Sequence, residues 1–272
     1  MSQRGFTLIE IAIALAITGI MIGGGLLAVG PLMDKARTNQ TSATLDQAEN
    51  ALLLFVIRNQ RLPCPAVGTT AATSAGYGIE QFSSGNSTTG GACSASPATG
   101  VFPWRTLGVD ESYSLDGWGN RLSYYAAQSG TASASTAVSL TTAPPVPLTH
   151  SAATFNSCPS TTTTYMSVTD ASSGQAITNP ASTTCDQAAY VLLSHGKSGW
   201  YAYSKGGGLH PATLAGNVNK VCNSNPASCS NSFKSGNPVG AYPPTSNSYF
   251  DDMVRWRSPA LLIQLCGTAC GS

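Results

Sequence analysis

Few side chains in this sequence have the chemistry of a catalytic or binding group, and most of them stand in turns. His195 closes the apolar run Ala189-Tyr190-Val191-Leu192-Leu193-Ser194, the position of a general base at a strand end. Such a base needs a nucleophile within reach and an acid that orients it. The sequence has no Gly-x-Ser-x-Gly elbow, and Asp251 or Asp252 would have to supply the acid. A turn is the simpler reading of His195, and a hydrolase the rival one. Gly196-Lys197-Ser198 has the ending of a phosphate-binding loop, but Val191 stands where that loop needs its first glycine. It reads as a hairpin turn leading into Trp200-Tyr201-Ala202-Tyr203. Trp200, Tyr201 and Tyr203 would form a glycan-binding platform if they faced solvent. His150 and His210 lie in polar loops without metal-ligand spacing.

Asp251 and Asp252 follow a loop rich in Ser, Gly and Asn, and paired carboxylates of this kind suit calcium. No acidic residue lies between Asp186 and Asp251, however, so a calcium site there lacks carboxylates from the preceding loop. An ion pair with Arg255 or Arg257 is the stronger expectation, and no other cofactor is expected. The eight cysteines show no Cys-x-x-Cys redox or zinc spacing. All eight are expected in disulfides, and sequential pairing is the simplest of the connectivities: Cys64–Cys93, Cys158–Cys185, Cys222–Cys229 and Cys266–Cys270.

Glu10 poses a different problem. It opens an apolar segment in which Ile11 to Met33, 23 residues, carry no charge. At 1.5 Å per residue that segment makes a helix of about 35 Å, enough to cross a bilayer core. A carboxylate inside such a helix costs about 2.5 kcal/mol or more at mid-membrane, so it should have a partner. Cleavage between Gly5 and Phe6 would create one. The new α-amino group of Phe6 lies one helical turn from Glu10, and between subunits the two charges would neutralise each other and set an axial register. Met1-Ser2-Gln3-Arg4-Gly5 is then a leader with one positive charge.

The run Gly5-Phe6-Thr7-Leu8-Ile9-Glu10, followed by Ile11-Ala12-Ile13-Ala14-Leu15, resembles the prepilin signature of type IV pilins and type II secretion pseudopilins. The resemblance covers about the first thirty residues strongly. It implies cleavage after Gly5 by the prepilin peptidase, methylation of Phe6, and Glu10 as the assembly carboxylate. The sequence departs from the family in its helix breakers: many members carry a proline inside the apolar helix, whereas Gly23-Gly24-Gly25, Gly30 and Pro31 occupy its later part here. This stretch either melts when subunits pack or serves as a close-packing face. Further on, Asp116-Gly117-Trp118-Gly119-Asn120, Ser194-His195-Gly196 and Asp251-Asp252 with Trp256 are weakly similar to pseudopilin turns. Pseudopilins of this type hold calcium near the matching acidic run.

The remainder of the chain must position these groups. Only 13 basic and 12 acidic residues occur among 272, for a net charge of +1. That excludes a nucleic-acid partner held by a basic patch, and a polybasic membrane-surface mode. Ser and Thr cover the surface instead, a bias of exported polypeptide that agrees with the even cysteine count. Leu45, Ala48, Leu52, Phe55 and Val56 recur at helical spacing, with Asp46 and Glu49 read as solvated charges beside them. The helix should end near Asn59, ahead of Pro63 and Pro65. Strands are expected at Leu122 to Ala126, Ala189 to Ser194, Phe250 to Trp256 and Pro259 to Leu265. The segment from Leu122 to Thr169 has no Asp, Glu, Lys or Arg, and propensity leaves its structure open.

The expected fold is α+β and pilin-like: a long N-terminal helix, half membranous and half amphipathic, packed on an antiparallel β-sheet with disulfide-stapled loops. Residues 1–5 form the leader, 6–61 the helix with its membrane span at 11–33, and 62–272 the head. The expected protein is a non-enzymatic pilin-like subunit, favoured as a displayed pilus subunit, major or minor, with a pseudopilin as alternative. Its partners are other subunits, the prepilin peptidase and the bacterial inner membrane, before it enters an extracellular pilus or periplasmic pseudopilus. The purified mature chain should begin at N-methyl-Phe6. Intact-mass measurement of protein from cells containing the peptidase checks this, and a retained Met1 would overturn it.

Overall fold

The computed structural model describes residues 7–59, 62–82, 93, 100–126, 128–129, 136–137, 163–164, 166–178, 187–212, 216–229, 232–240, 242–244 and 246–266. Residues 22–28 are described as backbone only. The chain opens with α1 (Leu8–Asn59), a single helix of 52 residues that runs through Pro31 without interruption. Short strands follow: β1 (Ala66–Val67), β2 (Gly100–Val101), β3 (Ser123–Ala126), β4 (Gln128–Ser129), β5 (Thr136–Ala137), β6 (Thr163–Thr164) and β7 (Ser167–Asp170). After them come β8 (Tyr190–Ser194), α2 (Val218–Ser224), β9 (Ser232–Ser235), β10 (Met253–Arg257) and α3 (Pro259–Cys266).

The main sheet has the order β1-β2-β3-β8-β10 and is antiparallel throughout. β4, β5 and β6 pair antiparallel in a small second sheet, whereas β7 and β9 form a parallel pair outside the expected antiparallel pattern. The apolar stripe of α1 lies on the main sheet. Leu45, Ala48 and Leu52 are fully buried against Tyr124, Tyr190 and Leu192, as the helical spacing of those residues requires. Burying each large apolar side chain contributes roughly 1.5–3 kcal/mol, so this one face ties helix to head.

Two expected strands take other forms. Trp200–Tyr203 does not extend a hairpin from β8, because β3 and β10 already occupy both edges of β8. The segment turns instead, with Tyr201 in left-handed backbone at φ 66°. Pro259–Cys266 is a helix. Ser258 receives the Leu261 amide on its Oγ, and Pro259 stands in the first turn, where a missing N–H costs nothing. Leu262 packs back into the core.

Glu49 is also unlike its expectation: it is buried beneath the sheet rather than solvated. Its Oε1 accepts the Tyr190 hydroxyl at 2.8 Å and its Oε2 the Arg257 guanidinium at 2.6 Å. Burial, reinforced by Glu49, pushes the Tyr190 hydroxyl pKa up. Asp46 remains exposed and pairs with Arg255 at 3.2 Å.

The Asp116–Asn120 turn forms a second joint between helix and head. Asp116 Oδ1 accepts the amides of Trp118 and Asn120, and Oδ2 accepts the Ser194 hydroxyl. Burial raises the Asp116 pKa against those hydrogen bonds. The turn so fixed presents the Gly117 amide to Thr41 Oγ1 at 2.9 Å, and the Thr41 hydroxyl in turn donates to the Arg37 carbonyl. Arg121 follows the turn and donates to the carbonyls of Gly68, Thr70 and Lys205, tying two polar loops that have little apolar surface of their own.

The disulfides Cys64–Cys93 and Cys222–Cys229 are present as sequential pairing predicts. Cys158, Cys185 and Cys270, and the side chain of Cys266, lie outside the described residues.

A Cβ on Gly117 would meet the Arg37 backbone, with Arg37 Cα at 2.9 Å. Helix backbone cannot rotate away, so Gly117→Ala should destabilise the protein by about 1–3 kcal/mol. Gly206→Ala, with only the Ser204 hydroxyl at 3.8 Å, should stay within about 0.5 kcal/mol. Denaturant titration of the two variants against the parent chain checks the contrast.

Candidate functional site

The start of α1 lies clear of the head among the described residues. Every described residue from Thr7 to Met21 is exposed, and these include Leu8 at 89%, Leu15 at 68% and Ile20 at 75%. A helix apolar all round requires an apolar environment, either lipid or other helices. Among the described residues no helix is long and apolar enough to cross a membrane. The expected span at 11–33 includes residues 22–28, which are described as backbone only.

At the tip of this helix, Thr7 and Glu10 form a reciprocal cap. Thr7 Oγ1 accepts the Glu10 amide at 3.3 Å, and Glu10 Oε2 accepts both the Thr7 amide and hydroxyl at 3.1 Å. The sequence signal was in plain view, since Thr7-Leu8-Ile9-Glu10 has the Thr-x-x-Glu spacing of a capping box. Glu10 therefore has a local partner in the single chain, besides the neighbour's amine expected of it. Gly5 and Phe6 lie outside the described residues.

The second constellation lies in the head, where the turn after β8 meets the segment before β10. Asp251 and Asp252 do not pair with Arg255 or Arg257. Both converge on Lys220 of α2, with Asp251 Oδ1 2.6 Å from Nζ and Asp252 Oδ1 in direct contact. The His195 carbonyl accepts from the same ammonium at 2.8 Å. Asn223 Nδ2 donates to the other oxygen of Asp252, while the Ser198 amide and hydroxyl and the Tyr249 hydroxyl donate to Asp251. Burial pushes the Asp252 carboxyl up to about 6, against the pull of Lys220. Burial also opposes the charge on Lys220, but Asp252 and Asp251 outweigh it and hold the ammonium above the ordinary lysine value. Gly196 makes the approach possible. It turns with φ +65°, and any side chain there would collide with Asp251.

Lys220 escaped the sequence reading. Its signal was its isolation, as the only charged residue between Lys205 and Lys234. The residues present do not fit a calcium ion at Asp251 and Asp252, because the ammonium already takes the position between the carboxylates. Among the described residues no group of three or more His, Cys, Asp or Glu side chains gathers for a metal.

His195 is buried, with Nε2 2.9 Å from Ser123 Oγ and Nδ1 without a hydrogen-bond partner among the described residues. Among the described residues no acid orients the ring, and the ring is buried, so this Ser–His pair lacks the geometry of a hydrolase. Trp200 is 4% exposed and Tyr203 5%. Trp200 packs on Tyr249 with ring centroids 5.9 Å apart, so these rings form no exposed glycan platform.

Comparison with known families adds one finding. Residues 1–26 match the prokaryotic N-terminal methylation motif, the signature of type IV pilins and pseudopilins. The chain thus carries the signature of that class, with Glu10 inside the matched segment. No curated protein and no solved structure matches the chain.

Burial, and then the positive charge of Lys220, hold the His195 pKa well below its ordinary 6.5. The native ring stays neutral while the unfolded ring takes a proton below that value. The stability His195 supports is complete above pH 6.5 and is lost as pH falls. The wild-type advantage over His195→Gln should shrink by roughly 1 kcal/mol between pH 6.5 and 5.5. Denaturant titrations of both proteins across this range check it, and a constant difference would show that the folded ring takes a proton as readily as the unfolded one.

Proposed function

We propose that this chain is a structural subunit of a pilin-like fibre. The prepilin peptidase cuts it between Gly5 and Phe6 and methylates Phe6. Residues 11–33 hold it in the bacterial inner membrane until it polymerises through α1. The observation that carries this reading is the apolar start of α1, exposed at every residue from Thr7 to Met21 and headed by the methylation motif. The chain performs no reaction in this role. The large Ser- and Thr-rich head with stapled loops supports a displayed pilus subunit. A type II secretion pseudopilin is the second reading, favoured by the Asp116–Asn120 turn that seats α1, and it would assemble through the same helix end.

Glu10 has two candidate roles, capping its own helix with Thr7 and meeting the Phe6 amine of a neighbour. Two variants separate them. Glu10→Ala removes both roles, whereas Thr7→Val removes only the hydroxyl that closes the cap. Breaking a buried pair costs roughly 3–5 kcal/mol, so Glu10→Ala should lower incorporation into fibres at least about tenfold. Thr7→Val should stay near wild type. Counting each variant in sheared fibres against the membrane pool, in cells lacking the wild-type copy, measures both. Equal loss for the two variants would assign Glu10 to the cap alone, and normal incorporation of Glu10→Ala would overturn the assembly role. Fibres confined to the periplasm would select the pseudopilin reading.

A further inference from the structure

Lys220 is placed with more structure than a simple ion pair requires. Its ammonium has three protons, and the fold supplies three oxygens: Asp251 Oδ1, Asp252 Oδ1 and the His195 carbonyl. The Lys220 side chain is 0% exposed, as is that of Asp252, and Asp251 is 10% exposed. The stem that delivers the ammonium is fixed from both ends. Asn217 caps α2 by accepting the Lys220 amide, and its own amide group holds the Tyr249 carbonyl at 2.7 Å. One residue past Lys220's neighbour, Cys222 is bonded to Cys229, and Asn223 bridges Asp252 to the Lys234 carbonyl. The carboxylate oxygens that Lys220 leaves over take donors from Ser198, Tyr249 and Asn223. Two adjacent carboxylates and a carbonyl converging on one point form the core of a hard-cation site. Here a covalently attached ammonium stands at that point, and a divalent ion brought to it would meet a fixed positive charge.

We propose that Lys220 is the resident cation of this site: it takes the place of a divalent ion, so the head holds its Asp251–Asp252 loop without metal, and removing the ammonium opens a calcium-binding site. Two carboxylates facing each other without a cation repel, and a lone desolvated pair is among the costliest arrangements a protein interior can hold. Deleting Lys220 therefore leaves a cavity lined by negative charge and oxygen donors, which is the chemistry calcium selects. This inference does not depend on which machine the chain enters.

The test uses the full chain in detergent micelles, with calcium chloride or the chelator EGTA as the only variable. Wild-type protein should unfold at the same temperature, within about 1 °C, in millimolar calcium and in EGTA, since a ligand that does not bind does not stabilise. Lys220→Ala should unfold at lower temperature in EGTA and recover by roughly 5 °C or more in millimolar calcium. Terbium offers a second readout, because Trp200 and Tyr249 lie beside the site and can sensitise its emission. Lys220→Ala should show that emission, displaced by calcium, and the wild type should not. Calcium-dependent stability of the wild type would overturn the proposal, and so would a folded Lys220→Ala chain blind to calcium. If the variant folds only with calcium, the proposal is supported. If it folds in neither condition, the wild-type comparison alone decides.

Discussion

One helix must satisfy two environments, and the rest of the structure follows from how it does so. The second half of α1 buries Leu45, Ala48, Leu52 and Val56 on the main sheet, whereas from Thr7 to Met21 the helix exposes its apolar side chains. If the sheet contact failed, the head would have no fixed relation to the part of the helix that assembles. The contact is sealed on two sides by polar groups. Glu49 reaches through the interface to Tyr190 and Arg257, and the Asp116 turn presses the Gly117 backbone against the helix at Arg37 and Thr41. Apolar area supplies the adhesion, and these directional contacts select one register among the many that a smooth helix face allows.

The scarcity of charge gives each ionised group in the head unusual weight. Glu49, Asp116, Arg121, Lys220 and Asp252 are all buried, and each ties a loop or strand to something distant in sequence. Arg121 gathers three carbonyls from two loops. Lys220 joins α2 to the turn after β8 and to the start of β10. A head so rich in Gly, Ser and Thr has little apolar surface in its loops, and a few satisfied charges together with the disulfides replace it. The cost of burying each charge is offset by the partners that the fold gathers round it. Asp252 shows the balance plainly: burial raises its pKa, and Lys220 and Asn223 pull it back.

At the N-terminal end, one side chain has a local role and, in the proposed fibre, an intermolecular one. Within the chain, Glu10 caps the helix with Thr7, satisfying backbone groups that every helix start leaves open. In a fibre the same carboxylate can instead neutralise an amine. A group held by weak, exposed hydrogen bonds is free to exchange them for a buried charge pair, so the cap does not oppose assembly.

The sequence by itself determined whatever depends on short-range pattern. The cleavage and methylation signature, the extent of α1 to Asn59, the stripe that faces the sheet, and the strands around Tyr124 and Leu192 were legible because each rests on neighbours in the chain or on one periodicity; Cys64–Cys93 and Cys222–Cys229 follow the simplest of many possible pairings. The capping signals of Thr7-x-x-Glu10 and Ser258-Pro259 were equally local, and their spacing was there to be read. Only the tertiary structure decided the partners of the charges. Nothing near Asp251 in sequence points to Lys220, which is 31 residues away, or pairs Glu49 with a tyrosine on β8. Arg255 and Arg257 were nearer in sequence, but alternation along β10 turns them toward α1, where Asp46 and Glu49 receive them. Charge pairing acts through space, and a composition this poor in charge leaves several partners equally plausible until the fold brings one of them within reach.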